Sequence, residues 1–263
     1  MKILLISDLP LGGTRGCEQN DKVIYDSIGC DFLTCAEFNE ATPSGYDRYL
    51  LSNFASLSEE SKEFLVKKEV YHLAHDFLFT PTRNVGNFED FVVPPDFLIN
   101  YEFFKSFKKI YTQSKLHQEL FKKNGLESYS ISGNLWSSFH LKFMEERSSN
   151  SKNGRCLVLN DPYKGTNLAA NLGKQLNLLV DILPRMPYLA FLDTLGKYSA
   201  FLFQSPILET LNRVILEAKM MNTVPIIGSL CGCTSEKIFE LNGKELIEEL
   251  RRIRDNFLLE LKL

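Results

Sequence analysis

The strongest constraint on the fold is a repeated alternation of short apolar runs with segments of helical periodicity. The first run, residues 2–7, ends at a glycine-bearing loop, and a helical segment over 19–28 follows it. Strands that alternate with helices are typical of parallel sheets covered on both faces. The same pattern predicts further strands at 32–35, 49–52, 69–73, 109–113, 156–159, 178–182, 200–203 and 223–227. It predicts further helices at 58–68, 100–108, 114–124, 165–176, 187–198, 209–221 and 243–262.

One polar segment, 145-EERSSNSKNG-154, interrupts the alternation and has the composition of a linker. It predicts two α/β domains, residues 1–144 and 155–263, joined by residues 145–154. Open α/β sheets bind ligands beyond the carboxyl ends of their strands. If two such sheets face each other, the cleft between them is the expected active site.

The composition excludes several classes of protein. The 263 residues carry a formal net charge of -3, which gives no overall nucleic-acid signature. None of the six cysteines forms a C-x-x-C pair, so neither a zinc motif nor a redox motif is predicted, and reduced thiols are expected. No apolar run is long enough to span a bilayer, and the N-terminal run indicates a strand rather than a signal peptide. A cytoplasmic protein is expected.

Two glutamates point to a ligand. Glu209 and Glu217 lie eight positions apart in the predicted helix 209–221, a little over two turns at about 3.6 residues per turn, so both project on one side. Helix N-termini bind phosphate, and carboxylates accept hydrogen bonds from sugar hydroxyls. The alternatives are a capping carboxylate for Glu209 and a plain surface residue for Glu217. The spacing alone leaves these alternatives open.

The stretch 217-EAKMMNTVPII-227 resembles a motif in the C-terminal domain of retaining GT-B-fold glycosyltransferases, the group 1-like enzymes. Asn222 stands where that motif usually has glycine. The resemblance implies an α/β protein of two Rossmann-like domains that face each other across a cleft. It also implies that Glu209 contacts the hydroxyls of the donor sugar and that Glu217 binds the ribose of the nucleotide.

A second match, 160-NDPYKGT-166, resembles the Lys-Gly segment whose lysine contacts the donor diphosphate in these enzymes. The resemblance therefore assigns Lys164 and Gly165 to the donor site, although a solvated loop lysine is the alternative. Backbone N–H groups near Thr210 and Leu211 would also stabilise the leaving diphosphate. Arg213 is a candidate second cation. No Asp-x-Asp triplet is present, so no metal site is predicted.

The N-terminal half carries weaker matches. Gly12 and Gly13 resemble the glycine loop after the first strand, where backbone approaches the substrate. His75 and Asp76 resemble a His/Asp turn of compact members, which implies a catalytic role, and Arg83 fits the substrate-binding arginine that follows it. A structural histidine is the alternative for His75.

These matches predict transfer of a glycosyl group from a UDP- or GDP-sugar to an acceptor hydroxyl, with the donor as co-substrate and no other cofactor. The short chain suggests a phage enzyme in the host cytoplasm, with a hydroxymethylated base or a base-linked sugar in DNA as acceptor. The lysine-rich stretch 105–123 could then meet phosphates, although a solvated helix face is the alternative. A glycan is the other candidate acceptor. A nucleotide-sugar epimerase of the same fold and a non-catalytic nucleotide-sugar-binding module are the alternative functions.

Overall fold

The computed structural model describes residues 1–228 and 230–263. The chain divides into two compact units: unit 1 is Met1–Leu135 with Arg254–Leu263, and unit 2 is Trp136–Ile253. The predicted domain limits of 1–144, 145–154 and 155–263 differ from this division. The helix Ser138–Arg147 includes the first residues of the predicted linker, and the last ten residues join unit 1.

Unit 1 contains a six-stranded parallel sheet in the order β2-β1-β3-β4-β5-β6. Its strands are β1 Ile3–Ser7, β2 Asp31–Thr34, β3 Arg48–Leu51, β4 Val70–Leu73, β5 Lys109–Thr112 and β6 Tyr129–Ser130. Its helices are α1 Gly16–Ile28, α2 Cys35–Ala41, α3 Glu59–Leu65, α4 Tyr101–Lys105 and α5 Lys115–Lys123. Every residue of β1 is buried, as expected for an apolar strand inside a sheet covered on both faces.

Unit 2 contains a four-stranded parallel sheet in the order β10-β9-β7-β8. Its strands are β7 Cys156–Leu159, β8 Val180–Leu183, β9 Ala200–Phe203 and β10 Val224–Ile227. Its helices are α6 Ser138–Arg147, α7 Thr166–Gln175, α8 Tyr188–Leu195 and α9 Arg213–Met220. The last helix, α10 Gly243–Lys262, begins in unit 2 and contributes its residues from Arg254 onward to unit 1.

The predicted strands and most predicted helices are confirmed, with ends shifted by a few residues. The main error is the helix predicted over 209–221, because α9 begins only at Arg213. Asn212 caps this helix, its side-chain oxygen accepting a hydrogen bond from the Ile215 N–H at 3.2 Å. The prediction that Glu209 and Glu217 project from one helix is therefore wrong. Among the helices of the described residues, none is both long and apolar enough to cross a bilayer.

Candidate functional site

The carboxyl edge of the unit 2 sheet brings a predicted cation and a predicted carboxylate together. Lys164 ends a short 3₁₀ turn after β7, and Glu209 lies in the loop after β9, the strand beside β7. The ammonium group of Lys164 donates a hydrogen bond to the Glu209 carboxylate. The Lys164 side chain is 42% exposed and that of Glu209 only 10% exposed. The pair therefore sits at the surface with its carboxylate on the inner side.

Glu209 is held by the loop that follows β10. Its N–H donates to the Leu230 carbonyl at 2.9 Å, and its own carbonyl accepts from the Gly232 N–H at 2.8 Å. These bonds form an isolated parallel bridge with Cys231. Because Asn212 rather than Glu209 caps α9, the capping alternative for Glu209 does not apply.

The loop after β7 packs closely on the end of β9. Gly165 has a φ of +80°, and a Cβ atom built there would lie 1.8 Å from the Gln204 carbonyl oxygen. Only glycine fits such a contact. The next residue, Thr166, fixes the turn, because its hydroxyl donates to the Leu159 carbonyl and accepts from the Asp161 N–H, both at 2.7 Å.

The same edge offers an uncapped helix end and a pocket. Helix α7 starts at Thr166, and no side chain of residues 1–228 or 230–263 caps it. Its first-turn N–H groups and its dipole therefore favour an anion. A pocket of about 90 Å³ lies at the ends of β9 and β10. It is lined by Phe203, Gln204, Ser205, Gly228, Leu230 and Cys231.

The structure places Glu217 and Arg213 together in a buried cluster of unit 2. One Glu217 oxygen, Oε1, accepts hydrogen bonds from Arg213 Nε at 2.8 Å, from Trp136 Nε1 at 3.0 Å and from the Tyr188 hydroxyl. The side chains of Arg213 and Glu217 are 8% and 1% exposed. The Arg213 guanidinium also stacks on the Trp136 ring, 4.4 Å from its centroid. The two predicted ligand-binding residues thus neutralise each other.

The environment keeps the tyrosine of this cluster neutral. Burial and the neighbouring Glu217 charge raise the pKa of Tyr188, although Arg213 opposes the shift. Tyr188 therefore acts as a hydroxyl donor to Glu217. The other Glu217 oxygen, Oε2, is buried and accepts no hydrogen bond from the described residues. Of the two residues predicted to supply backbone donors, Leu211 is buried and Thr210 half-buried.

In unit 1, His75 follows β4 and is held through both ring nitrogens. Gln113 Nε2 lies 3.0 Å from His75 Nδ1, and the Ser52 hydroxyl lies 2.8 Å from His75 Nε2. Because an amide nitrogen can only donate, Nδ1 accepts and Nε2 carries the proton. Burial, assisted by the Arg83 charge, lowers the pKa of His75 to about 4, so the ring is neutral at pH 7. A role as catalytic base would require one of these bonds to break.

The other predicted residues of unit 1 form one charged group. Arg83 donates from Nε at 3.0 Å and from Nη2 at 2.5 Å to Asp76, and Nη2 also donates to Asn53 at 3.0 Å. Burial alone would lower the pKa of Arg83, but Asp76 and Asp8 raise it overall. The structure thus places Asp76 beside Arg83, with the guanidinium already neutralised.

The two glycines after β1 have different reasons to be glycine. Gly12 has a φ of +85°, which favours glycine over other residues. At Gly13, a Cβ atom would lie 2.2 Å from the Glu18 carboxylate. Glu18 accepts from the Arg15 N–H at 2.6 Å and so anchors the start of α1. Gly13 therefore serves the packing of this helix.

No family model matches the chain, and no curated protein matches it. Solved structures do. HepE of Anabaena in complex with UDP is 12% identical, with 99% of this chain and 90% of HepE covered and a TM-score of 0.53. The trehalose-6-phosphate synthase OtsA is 7% identical, with 97% and 90% covered and a TM-score of 0.62. An alpha-glucosyltransferase in complex with UDP and a 13-mer DNA is 10% identical, with 98% and 92% covered and a TM-score of 0.50. The chain has the GT-B fold.

Within the GT-B fold of this chain, two residues that the sequence did not single out lie at the carboxyl edges. Arg185 is in the loop after β8, 85% exposed, with its guanidinium 3.5 Å from the Asp161 carboxylate. The sequence feature that could have identified Arg185 is its position directly after a predicted apolar strand. Asp21 of α1 is 1% exposed, and neither of its carboxylate oxygens has a hydrogen-bond partner among the described residues. No local sequence pattern distinguished Asp21 as a buried residue.

The packing of Gly165 leads to the first prediction for this GT-B chain. Gly165→Ala should destabilise unit 2 by about 1–3 kcal/mol beyond the left-handed backbone term, because the loop that carries Lys164 must move away from Gln204. Gly154→Ala is the matched control, since Gly154 has a φ of +75° with nothing within 4 Å of its Cβ position. It should cost only the left-handed backbone term of about 1–2 kcal/mol in stability. Urea unfolding followed by the fluorescence of Trp136, which belongs to unit 2, measures the stability of both variants, and equal stability of the two would contradict the prediction.

Proposed function

We propose that this chain transfers a glycosyl group from a nucleoside-diphosphate sugar, a UDP- or GDP-sugar, to an acceptor hydroxyl with retention of anomeric configuration. The observation that carries the proposal is the contact of Lys164 with Glu209 at the carboxyl ends of neighbouring strands. The uncapped start of α7 lies at the same edge. UDP in the complexes of HepE and of the alpha-glucosyltransferase supports UDP as the nucleotide.

Each group at the carboxyl edge of the unit 2 sheet has a task in this reaction. The leaving diphosphate gains negative charge, which Lys164, the exposed Arg185 and the first-turn N–H groups of α7 would stabilise. A phosphate that attracts Lys164 would release the Glu209 carboxylate, which then accepts hydrogen bonds from the donor sugar. Backbone N–H groups at Thr210 and Leu211 complete the set. The donor is the only co-substrate in this scheme, and no metal takes part.

The buried cluster of Arg213 and Glu217 lies in the same unit as Lys164 and Glu209. We propose that Glu217 Oε2 accepts from the ribose hydroxyls, because it is the carboxylate oxygen that no described residue contacts by a hydrogen bond. This requires the surrounding side chains to open, since the oxygen is buried. Arg213 then positions Glu217 through the bond to Oε1 and does not contact the diphosphate.

The acceptor would bind at the carboxyl edge of unit 1, beside Gly12, Gly13, His75, Asp76 and Arg83. A hydroxymethylated base or base-linked sugar in phage DNA is one candidate, and the DNA complex of the alpha-glucosyltransferase supports it. A glycan is the other candidate. The cytoplasm, of the host where the gene is viral, supplies nucleotide sugars for either reaction.

The lysine-rich stretch gives the DNA acceptor limited support. Lys105 pairs with Glu102 at 2.8 Å, and Lys109 pairs with Glu260. Phosphates would have to compete with these carboxylates for the two ammonium groups. At Lys105 and Lys109 the lysine-rich stretch therefore carries ion pairs and not unpaired cations.

A donor panel tests the proposal. The protein is titrated with UDP-, GDP-, ADP- and CMP-sugars, and we expect one donor to bind selectively. Lys164→Ala should weaken that binding about tenfold to hundredfold, the range for loss of one hydrogen bond between charged groups. Lys174→Ala removes an exposed lysine of α7 and should leave binding unchanged.

The outcomes separate the candidate functions. Nuclear magnetic resonance of the anomeric proton, recorded with an acceptor mixture, reports transfer and its stereochemistry. Conversion of the donor sugar without transfer would favour an epimerase, and tight binding without turnover would favour a binding module. Failure of every donor to bind would contradict the proposed function.

A further inference from the structure

The pocket at the ends of β9 and β10 adjoins the segments that carry Lys164 and Glu209. Its volume is about 90 Å³. Cys231, one of its lining residues, forms the backbone bridge to Glu209. Gln204, another lining residue, has its carbonyl oxygen 1.8 Å from the position of a Cβ atom built at Gly165, so the loop of Lys164 packs against it. A donor sugar that contacts Glu209 would therefore lie next to this pocket.

Most of the side chains that line the pocket are apolar. Phe203 is 5% exposed and Cys231 2% exposed, and both belong to the hydrophobic core of unit 2. Leu230 adds a third apolar side chain, which is 39% exposed. An apolar group that enters the pocket would therefore gain burial against a preformed surface.

The Gln204 amide is the polar group of the pocket with unused hydrogen-bonding capacity. Gln204 is half-buried, and its side chain forms no hydrogen bond within residues 1–228 and 230–263. Its Oε1 atom lies 2.6 Å from the position of a Cβ atom built at Gly228, so the amide occupies the space that this glycine leaves open. A primary amide can donate to a carbonyl oxygen. The pocket thus combines a free amide donor with an apolar wall.

We infer that the donor sugar carries an acetamido substituent and that this pocket holds it. The inference rests on the proposed function and adds the class of donor sugar. Gln204 Nε2 would donate a hydrogen bond to the acetamido carbonyl oxygen. The acetamido methyl group would pack against Phe203, Leu230 and Cys231.

Size separates an acetamido group from a hydroxyl group at this place. A water molecule takes up about 30 Å³ in the liquid, and a hydroxyl group is of similar size. A hydroxyl group alone would leave most of the pocket of about 90 Å³ to water that faces apolar side chains. An acetamido group fills more of this volume and matches both parts of the lining, its oxygen the amide and its methyl group the apolar wall.

Calorimetric titration of the full chain compares two pairs of donors, with UDP as the reference: UDP-N-acetylglucosamine with UDP-glucose, and UDP-N-acetylgalactosamine with UDP-galactose. In at least one pair we expect the acetamido donor to bind about tenfold more tightly, from one buried methyl group and one hydrogen bond. Equal or tighter binding of the hydroxyl donor in both pairs would overturn the inference and leave the proposed function standing. So would tighter binding of a GDP-, ADP- or CMP-sugar that has no acetamido group. A protein that binds neither UDP nor any donor would instead contradict the proposed function, and this inference with it.

Two variants test whether this pocket is the cause of the selectivity. Gln204→Leu removes the amide at similar size, and Gly228→Ala places a methyl group where the amide lies, at a backbone position that is not left-handed. Each should lower the affinity ratio of the acetamido donor to its hydroxyl counterpart about tenfold. Gln175→Leu, which changes an exposed glutamine of α7, should leave the ratio unchanged. Urea unfolding followed by Trp136 fluorescence shows whether each variant is folded. An unchanged ratio in both folded variants would overturn the assignment of the acetamido group to this pocket.

Discussion

Asp21→Asn should stabilise unit 1 by about 4 kcal/mol at pH 8 and by almost nothing at pH 4. Burial raises the pKa of Asp21 from 3.8 to about 7; the Ser52 and Ser7 hydroxyls oppose the shift, and the Glu18 charge adds to it. Each pKa unit corresponds to about 1.4 kcal/mol. Asparagine has the shape of the protonated acid and cannot ionise, so the variant avoids the cost of a buried charge.

The pH range follows from the sign of the shift. Below about pH 3.8 the carboxyl group is protonated in both states, so it contributes no difference between wild type and variant. Between that value and about pH 7 the unfolded chain ionises while the folded chain keeps its proton. Wild-type stability therefore falls as the pH rises through this window and levels off above it. The stabilising effect of Asp21→Asn grows over the same window.

Amide hydrogen exchange of β1 and β3 at several pH values measures the effect in unit 1. Fluorescence of the single tryptophan would not serve, because Trp136 belongs to unit 2. Asp26→Asn is the control: Asp26 is an exposed residue of the same helix, paired with Lys22, and its loss should change the opening free energy by at most about 1 kcal/mol. Equal protection of wild type and Asp21→Asn at pH 8 would show that Asp21 has a partner or an ordinary pKa.

The sequence alone predicted those parts of the fold that depend on a pattern within a short segment. The apolar runs identified every strand of the two sheets except the two-residue strand β6, and 160-NDPYKGT-166 placed Lys164 and Gly165 at the end of β7. The start of α9 was also readable, since Asn212 is a good N-cap residue three positions before Ile215. The helix α2, which was not predicted, begins with a capping box of Thr34 and Glu37. The helix α6, also not predicted, begins after the N-cap residue Ser137. These three errors arose from local signals that were passed over.

The features that the sequence did not predict depend on contacts between segments that are far apart in the chain. Glu209 is positioned by a bridge to Cys231, a partner on another loop, and no periodicity shows such a bridge. Asp21 occupies a polar position of an amphipathic helix, and its burial depends on packing against the strand ends that carry Ser7 and Ser52. Glu217 looked like a surface residue or a ligand-binding residue because Trp136 lies 81 positions away in sequence. Tertiary packing decided each of these cases.

Arg213→Ala should destabilise unit 2 by about 3–5 kcal/mol, the cost of leaving one member of a buried ion pair without its partner. The Glu217 side chain is 1% exposed, so water cannot replace the guanidinium. Lys197→Ala is the matched control, because Lys197 and Asp193 form a pair with the same spacing in the same unit, 56% and 37% exposed. Its loss should cost at most about 1 kcal/mol.

Urea unfolding followed by Trp136 fluorescence measures both variants, since the indole N–H donates to Glu217 and reports on this cluster. Replacing both partners, Arg213→Met with Glu217→Leu, should recover most of the loss, because no uncompensated charge then remains. Equal stability of Arg213→Ala and Lys197→Ala would contradict the prediction, because it would mean that water solvates the Arg213–Glu217 pair.

UDP titration of Glu217→Gln separates the two proposed roles of this carboxylate. A loss of affinity in a variant of unchanged stability assigns Glu217 to the ribose, whereas a loss of stability with unchanged affinity assigns it to the core of unit 2.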